Sequence, residues 1–156
     1  MGHELFALFL VLALGVTLID EISRRVFGKR VHWTARERMP RELQLSQLVM
    51  SESPIRTQTP VSLHGTPDQV FLNHKGMLVP VDTKLRRDAR TTSADRLQLS
   101  VYATILAHTR PEPVAGYGYV RIITAGNRPR YRKVWLLPEG KVIAKHRSMR
   151  RTAARA

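Results

Sequence analysis

The chain has 156 residues, enough for one domain with a hydrophobic core. It contains no cysteine, which excludes disulfides, thiolate zinc sites and iron–sulfur clusters. Lys and Arg number 26 against 12 Asp and Glu, a formal net charge of +14, so the expected partner is a polyanion, either nucleic acid or an anionic lipid surface.

Residues 5–19, LFALFLVLALGVTLI, carry no charge. The run is short for a membrane span, which takes roughly 20 apolar residues, but the flanking residues through Ile22 bring it near the lower limit. A secretory signal would place positive charge ahead of the apolar run. Here His3 and Glu4 precede it, and the positive charge follows at Arg24, Arg25, Lys29, Arg30, Arg36 and Arg38. Residues 1–22 therefore read as an uncleaved transmembrane anchor, the alternatives being a buried core or partner helix and a cleaved signal. By the positive-inside rule the rest of the chain faces the cytoplasm, which makes this a single-pass protein of the cytoplasmic (inner) membrane. Residues 23–39 form a basic juxtamembrane segment, either a helix on the lipid surface or a phosphate-contacting arm.

Pro40 suits the first turn of a helix, and ELQLSQLVMSE continues it with mixed apolar spacing. SESPIRTQTP, residues 51–60, reads as a loop because two prolines and several hydroxyl residues break any period. VSLHGTPDQVFL is a strand with a bulge at Gly65–Pro67, and NHKG is a turn in which Gly76 suits positive φ. MLVPVDTKLR is a second strand, where Pro80 signals an edge or an irregularity. After the polar RRDARTTSAD comes the clearest helix, SADRLQLSVYATILAHT, with Thr92 or Ser93 as its cap and a stripe of Leu97, Val101, Ile105 and Leu106. AGYGYVRIIT and YRKVWLLP are two further strands, joined through Gly126-Asn127. Trp135 alternates with the basic residues Arg130, Arg132 and Lys133 and reads as core. The last residues, 146–156, read as a basic tail with little to bury. Residues 40–145 thus predict an α/β domain, a small mixed β-sheet flanked by helices.

Asp68 and Asp82 fall on neighbouring strands of one predicted hairpin, in an apolar context where unpaired carboxylates repel and are costly to desolvate. A hard divalent cation, Mg²⁺ or Mn²⁺, resolves both problems. Strand alternation puts Lys84 on the same face as Asp82, placed to hold an attacking water or to neutralise a phosphate. Gln98 and Tyr102, four apart on the following helix, share a face that reaches back toward the two acids. Arg86, Arg87 and Arg90 follow directly and are candidates for phosphate contacts, or else belong to a solvated loop.

These residues form three linked motifs: Gly65-Thr-Pro-Asp68, Asp82-Thr83-Lys84 and Gln98-Leu-Ser-Val-Tyr102. Over residues 60–123 the pattern resembles the RecB-like branch of the PD-(D/E)XK nucleases, and within it the CRISPR-associated RecB-like exonucleases. The resemblance implies a restriction-endonuclease-like αβββαβ core and Mg²⁺-dependent hydrolysis of DNA. It implies Asp68, Asp82 and the Thr83 carbonyl as metal ligands, Lys84 as the catalytic lysine, and Gln98 and Tyr102 as orienting groups in the site. An upstream histidine often adds a ligand in this branch. Gly28-Lys-Arg-Val-His32 has that spacing, although His32 beside Trp33 also reads as an interfacial residue; His64 and His74 are weaker candidates. The cluster-binding cysteines of the CRISPR-associated relatives are missing. The expected function is a membrane-anchored, metal-dependent deoxyribonuclease, and the alternative is a nuclease-like subunit that binds nucleic acid or a membrane complex without cutting.

Overall fold

The computed structural model describes residues 37–126 and 129–154, and all of these except Glu37 belong to the compact unit Arg38–Ala156. The expected anchor, most of the juxtamembrane segment, His32 and the Asn127 turn position lie outside the described residues. Among the described residues no helix is long and apolar enough to cross a membrane.

The elements are α1 (Arg41–Gln44), β1 (Gln47–Ser51), β2 (Ile55–Thr57), β3 (Leu63–Gly65), β4 (Gln69–Leu72), β5 (Leu78–Leu85), α2 (Ser93–Thr109), β6 (Tyr117–Ile123), β7 (Pro129–Trp135) and α3 (Glu139–Ala153). Five strands form one sheet in the order β1-β4-β5-β6-β7, while β2 and β3 pair as a separate ribbon. Every pairing is antiparallel except β5 with β6, which α2 connects as a parallel crossover. The mixed α/β architecture is the one expected from the sequence.

Five local readings need correction. VSLHGTPDQVFL is two strands and not one bulged strand: β3 belongs to the ribbon, β4 to the main sheet, and Asp68 lies in the loop between them. The helix at Pro40 ends at Gln44, and the chain then extends into β1, because pairing with β4 satisfies the backbone of Gln47–Ser51 better than a helix without an apolar stripe would. The expected loop at 51–60 contains β2, whose Ile55 and Thr57 are buried against the helix side of the ribbon. Trp135 is 66% exposed; Val134 takes the core position instead, and strand alternation turns Trp135 outward. The tail is helical through Ala153, with Val142 inserted into the core and Leu137 N–H donating to Ser100 Oγ of α2 just before the helix starts.

Pro80 lies in an interior strand. The ladder to β6 begins only at Val81, so the missing N–H is not required on that side. Gly118 allows the close approach of β6, since a Cβ there would stand 2.7 Å from the Pro80 carbonyl oxygen. Gly76 has φ of 70°, in a turn where Asn73 Oδ1 accepts from the Lys75 and Met77 amides.

α2 packs across one face of the sheet. Leu99, Tyr102, Ile105 and Leu106 meet Val70, Val120, Ile122 and Val134, so the buried stripe is rotated slightly from the one read in the sequence. Thr92 caps this helix: its side chain accepts from Asp95 N–H, and Asp95 returns the bond to Thr92 N–H. The opposite face receives α1 through Glu42, which accepts from Tyr117 OH, Tyr119 OH (2.6 Å) and Lys133 Nζ (3.2 Å).

Candidate active site

The site is built where β5 passes beneath α2. Asp82 and Lys84 point from β5 toward the helix, as their register beside Val120 and Ile122 requires. Lys84 Nζ donates to Gln98 Oε1 at 2.8 Å. Gln98 Nε2 donates to Asp82 Oδ1 at 3.1 Å and to Tyr102 OH at 2.6 Å. Tyr102 OH donates in turn to the Thr66 carbonyl at 3.2 Å. Asp82 and Lys84 also meet directly, with Oδ2 2.7 Å from Nζ. That Oδ2 is buried, and the Lys84 ammonium is its partner in a close ion pair.

Asp68 reaches the same place from the loop between β3 and β4. Its Oδ2 accepts from the Thr83 N–H at 2.5 Å, which fixes its carboxylate beside the Asp82–Thr83 peptide. The Asp68 main chain is held as well, because its carbonyl accepts from Glu52 N–H at 3.0 Å. The structure therefore brings together Asp68, Asp82, Thr83, Lys84, Gln98 and Tyr102.

The electrostatics follow from burial. The Asp82 side chain is 4% exposed and that of Lys84 27%. Burial pushes the Asp82 carboxyl above its ordinary range; the Lys84 ammonium opposes this, and the neighbouring Asp68 and Asp95 add to the rise. Burial likewise raises the Tyr102 phenol, so it stays a neutral donor at neutral pH. Two carboxylates facing one ammonium leave an excess of negative charge.

A hard cation suits that excess. Asp68 and Asp82 offer anionic oxygens, and among the described residues the buried Asp82 Oδ2 is ion-paired with the Lys84 ammonium alone. Among the described residues, no group of three or more His, Asp and Glu side chains is placed to hold a metal ion. Mg²⁺ does not need one, since it commonly binds through one or two carboxylates and fills its other positions with water and substrate phosphate. His64 is exposed on β3 opposite Arg56, and His74 lies in the β4–β5 turn; neither joins the acids.

The three arginines after Lys84 divide. Arg86 makes a bidentate pair with Asp95 (2.7 and 2.6 Å) and donates to the Arg90 carbonyl, so it ties the loop to the start of α2. Arg87 and Arg90 are exposed. One feature escaped sequence reasoning: a Cβ on Gly65 would stand 2.6 Å from Tyr102 Cε1, so the first and third motifs touch. Its signal was the glycine that opens G-x-x-D.

The mixed α/β fold and this site define a nuclease-type core. The profile of the PD-(D/E)XK nuclease superfamily matches residues 7–155, and the chain belongs to that superfamily. No curated protein matches. Among solved structures the chain is similar to one described as "Crystal structure of SSO0001", with 13% identity and a TM-score of 0.46, covering 86% of this chain and 54% of the other. The chain thus spans about half the length of that structure.

Proposed function

We propose that the chain is a divalent-metal-dependent nuclease of the RecB-like branch that hydrolyses DNA phosphodiester bonds. The observation that carries the reading is the convergence of Asp68, Asp82, Lys84, Gln98 and Tyr102 on one patch between β5 and α2. Asp68 and Asp82, with the Thr83 carbonyl, would hold Mg²⁺ or Mn²⁺. When bound, such a cation polarises a phosphoryl oxygen and makes a water acidic enough to attack phosphorus.

The protein's own groups do the rest. Gln98 accepts from Lys84 and donates to Asp82, so it sets the position of both reacting side chains relative to α2. Lys84 presents a fixed ammonium to the phosphate and to the attacking water, where it offsets the charge that builds up on phosphorus–oxygen bonds. Tyr102, locked between Gln98 and the Thr66 carbonyl, keeps Gln98 from rotating. The uncharged run at residues 5–19 supports a membrane anchor with the nuclease domain on the cytoplasmic side of the inner membrane.

The test is to incubate the whole chain with single- and double-stranded DNA, and with RNA, in Mg²⁺ or Mn²⁺, beside an Asp82→Ala/Lys84→Ala variant. Cleavage by the native chain alone supports the nuclease. Equal cleavage by both means a contaminant and removes the assignment. Binding without cleavage favours the non-catalytic subunit, which is consistent with the small number of side-chain ligands among the described residues.

A further inference from the structure

The C-terminal half of α3 carries a group of cations that the nuclease site does not use. His146, Arg147, Arg150 and Arg151 surround a cavity of about 410 Å³ together with Val61 and Ser62, which lead into β3. The pairs 146/150 and 147/151 are each four apart, so the four side chains form one face of the helix. No carboxylate lines the cavity. Among the described residues none of the three arginines is ion-paired, and His146 Nδ1 is buried without a hydrogen-bond partner. The helix dipole accounts for basic residues in the last turn. It does not account for guanidinium groups gathered around a hollow against Ser62.

A second cavity, of about 300 Å³, lies at the other end of β3 and is lined by Arg56, His64, Gly65 and Thr66 among others. Arg56 and His64 face each other across the β2–β3 ribbon. Thr66 is the residue whose carbonyl accepts from Tyr102, so this cavity abuts the carboxylate patch. From Ser62 to Gly65 the strand covers about 10 Å at ~3.3 Å per residue. Along β3 the order is therefore the α3 arginines beside Ser62, Arg56 opposite His64, and Thr66, whose carbonyl is bonded to the Tyr102 of the carboxylate patch.

We infer that these features form one track that holds the sugar–phosphate backbone of a nucleic-acid strand on one side of the scissile bond, with Arg147, Arg150 and Arg151 gripping phosphate at its distal end. The inference rests on the nuclease reading for its direction, since it is the carboxylates that give the track an end. A phosphate-rich strand fits because arginine forks bind phosphate oxygens in pairs. An isolated lipid headgroup would fill the α3 cavity but would leave Arg56 and the ribbon unused.

The test measures binding separately from cutting. In an Asp82→Asn background, a fluorescently labelled single-stranded oligonucleotide is titrated by anisotropy at several salt concentrations. Arg147→Gln/Arg150→Gln should weaken binding about tenfold or more and lower the salt slope by roughly 1.4, the single-strand value for two cations withdrawn from the backbone. Lys141→Gln/Lys145→Gln removes the same charge from another part of α3 and should leave the slope within about 0.5 of the parent. Equal losses in the two variants would reduce the effect to general charge and overturn the proposal. Unchanged oligonucleotide binding with loss of binding to soluble short-chain phosphatidylglycerol would reassign the cluster to lipid and overturn it too. A native chain that binds DNA but never cuts it sinks the nuclease reading, and the slopes still decide the track.

Discussion

Gly65 and the ring of Tyr102 are in direct contact: Cε1 lies where a Cβ on residue 65 would come within 2.6 Å. Tyr102 is 5% exposed and bonded at its hydroxyl on two sides, so it has no room to retreat. The glycine of the first motif is thus required by the tyrosine of the third. Gly65→Ala should cost about 1–3 kcal/mol by overpacking and should reduce cleavage as well, because Tyr102 moves and releases Gln98. Thermal melts and cleavage rates check both, and an unchanged melt would refute the contact.

Gln98 touches both reacting side chains but contributes no charge. Gln98→Ala should lower kcat by roughly 10–100-fold while the melting temperature changes little, as for other groups that orient a site without joining its chemistry. Steady-state cleavage over a range of strand concentrations measures kcat and KM separately. A rise in KM alone would show that Gln98 serves binding and not positioning.

Asp82 is buried, and its carboxyl is raised by desolvation. Above that raised value the ionised form disfavours the folded state, so Asp82→Asn should match or exceed the native chain in stability at neutral pH in EDTA. That advantage should shrink as pH falls through the Asp82 pKa and the native carboxyl takes up its proton. Cleavage should be lost throughout, and added Mg²⁺ should stabilise only the native chain. A melting temperature lower by more than ~4 °C, on the order of 1 kcal/mol or more for a chain of this size, would overturn the account.

Acid should act oppositely at Asp95 and Glu42. Burial alone would raise both, but the Arg86 guanidinium and the Thr92 cap hold Asp95 below its ordinary 3.8. The hydroxyls of Tyr117 and Tyr119 and the Lys133 ammonium hold Glu42 below 4.5 in the same way. A depressed carboxyl stabilises the fold above its unfolded pKa and ceases to do so as pH falls through the folded one, here below about pH 4. Asp95→Asn should therefore lose about 2 kcal/mol at pH 7, through the broken charged bonds and weakened cap, and should unfold with a shallower dependence on acid. Urea melts between pH 7 and pH 2 test the difference.

Much of the fold was legible because its signals are local. The 17-residue α2 has its cap, its stripe and its terminating prolines within a single window, and the Asn73–Gly76 turn is written in four residues. The acids at 68 and 82 stood out because carboxylates in apolar strands need a reason. What stayed hidden depends on partners distant in sequence. β1 looks helical until β4 is beside it, and Trp135 looks like core until Val134 is seen to occupy that place. α3 has one buried apolar residue, Val142, so its helical state comes from docking on α2 and not from its own pattern. The Glu42 clamp joins residues 75 and 77 positions apart, which no spacing rule could find.

The Thr83 amide donates its proton to the carboxylate expected to grip the cation. Any charge that arrives at Asp68 draws electron density away from that bond, so the backbone itself reports occupancy. In an amide-resolved NMR titration with Mg²⁺, the Thr83 resonance should move upfield as the bond weakens, and Asp68→Asn should remove the response. The polypeptide carries its own indicator for the ion, built from one N–H and needing no label beyond nitrogen-15.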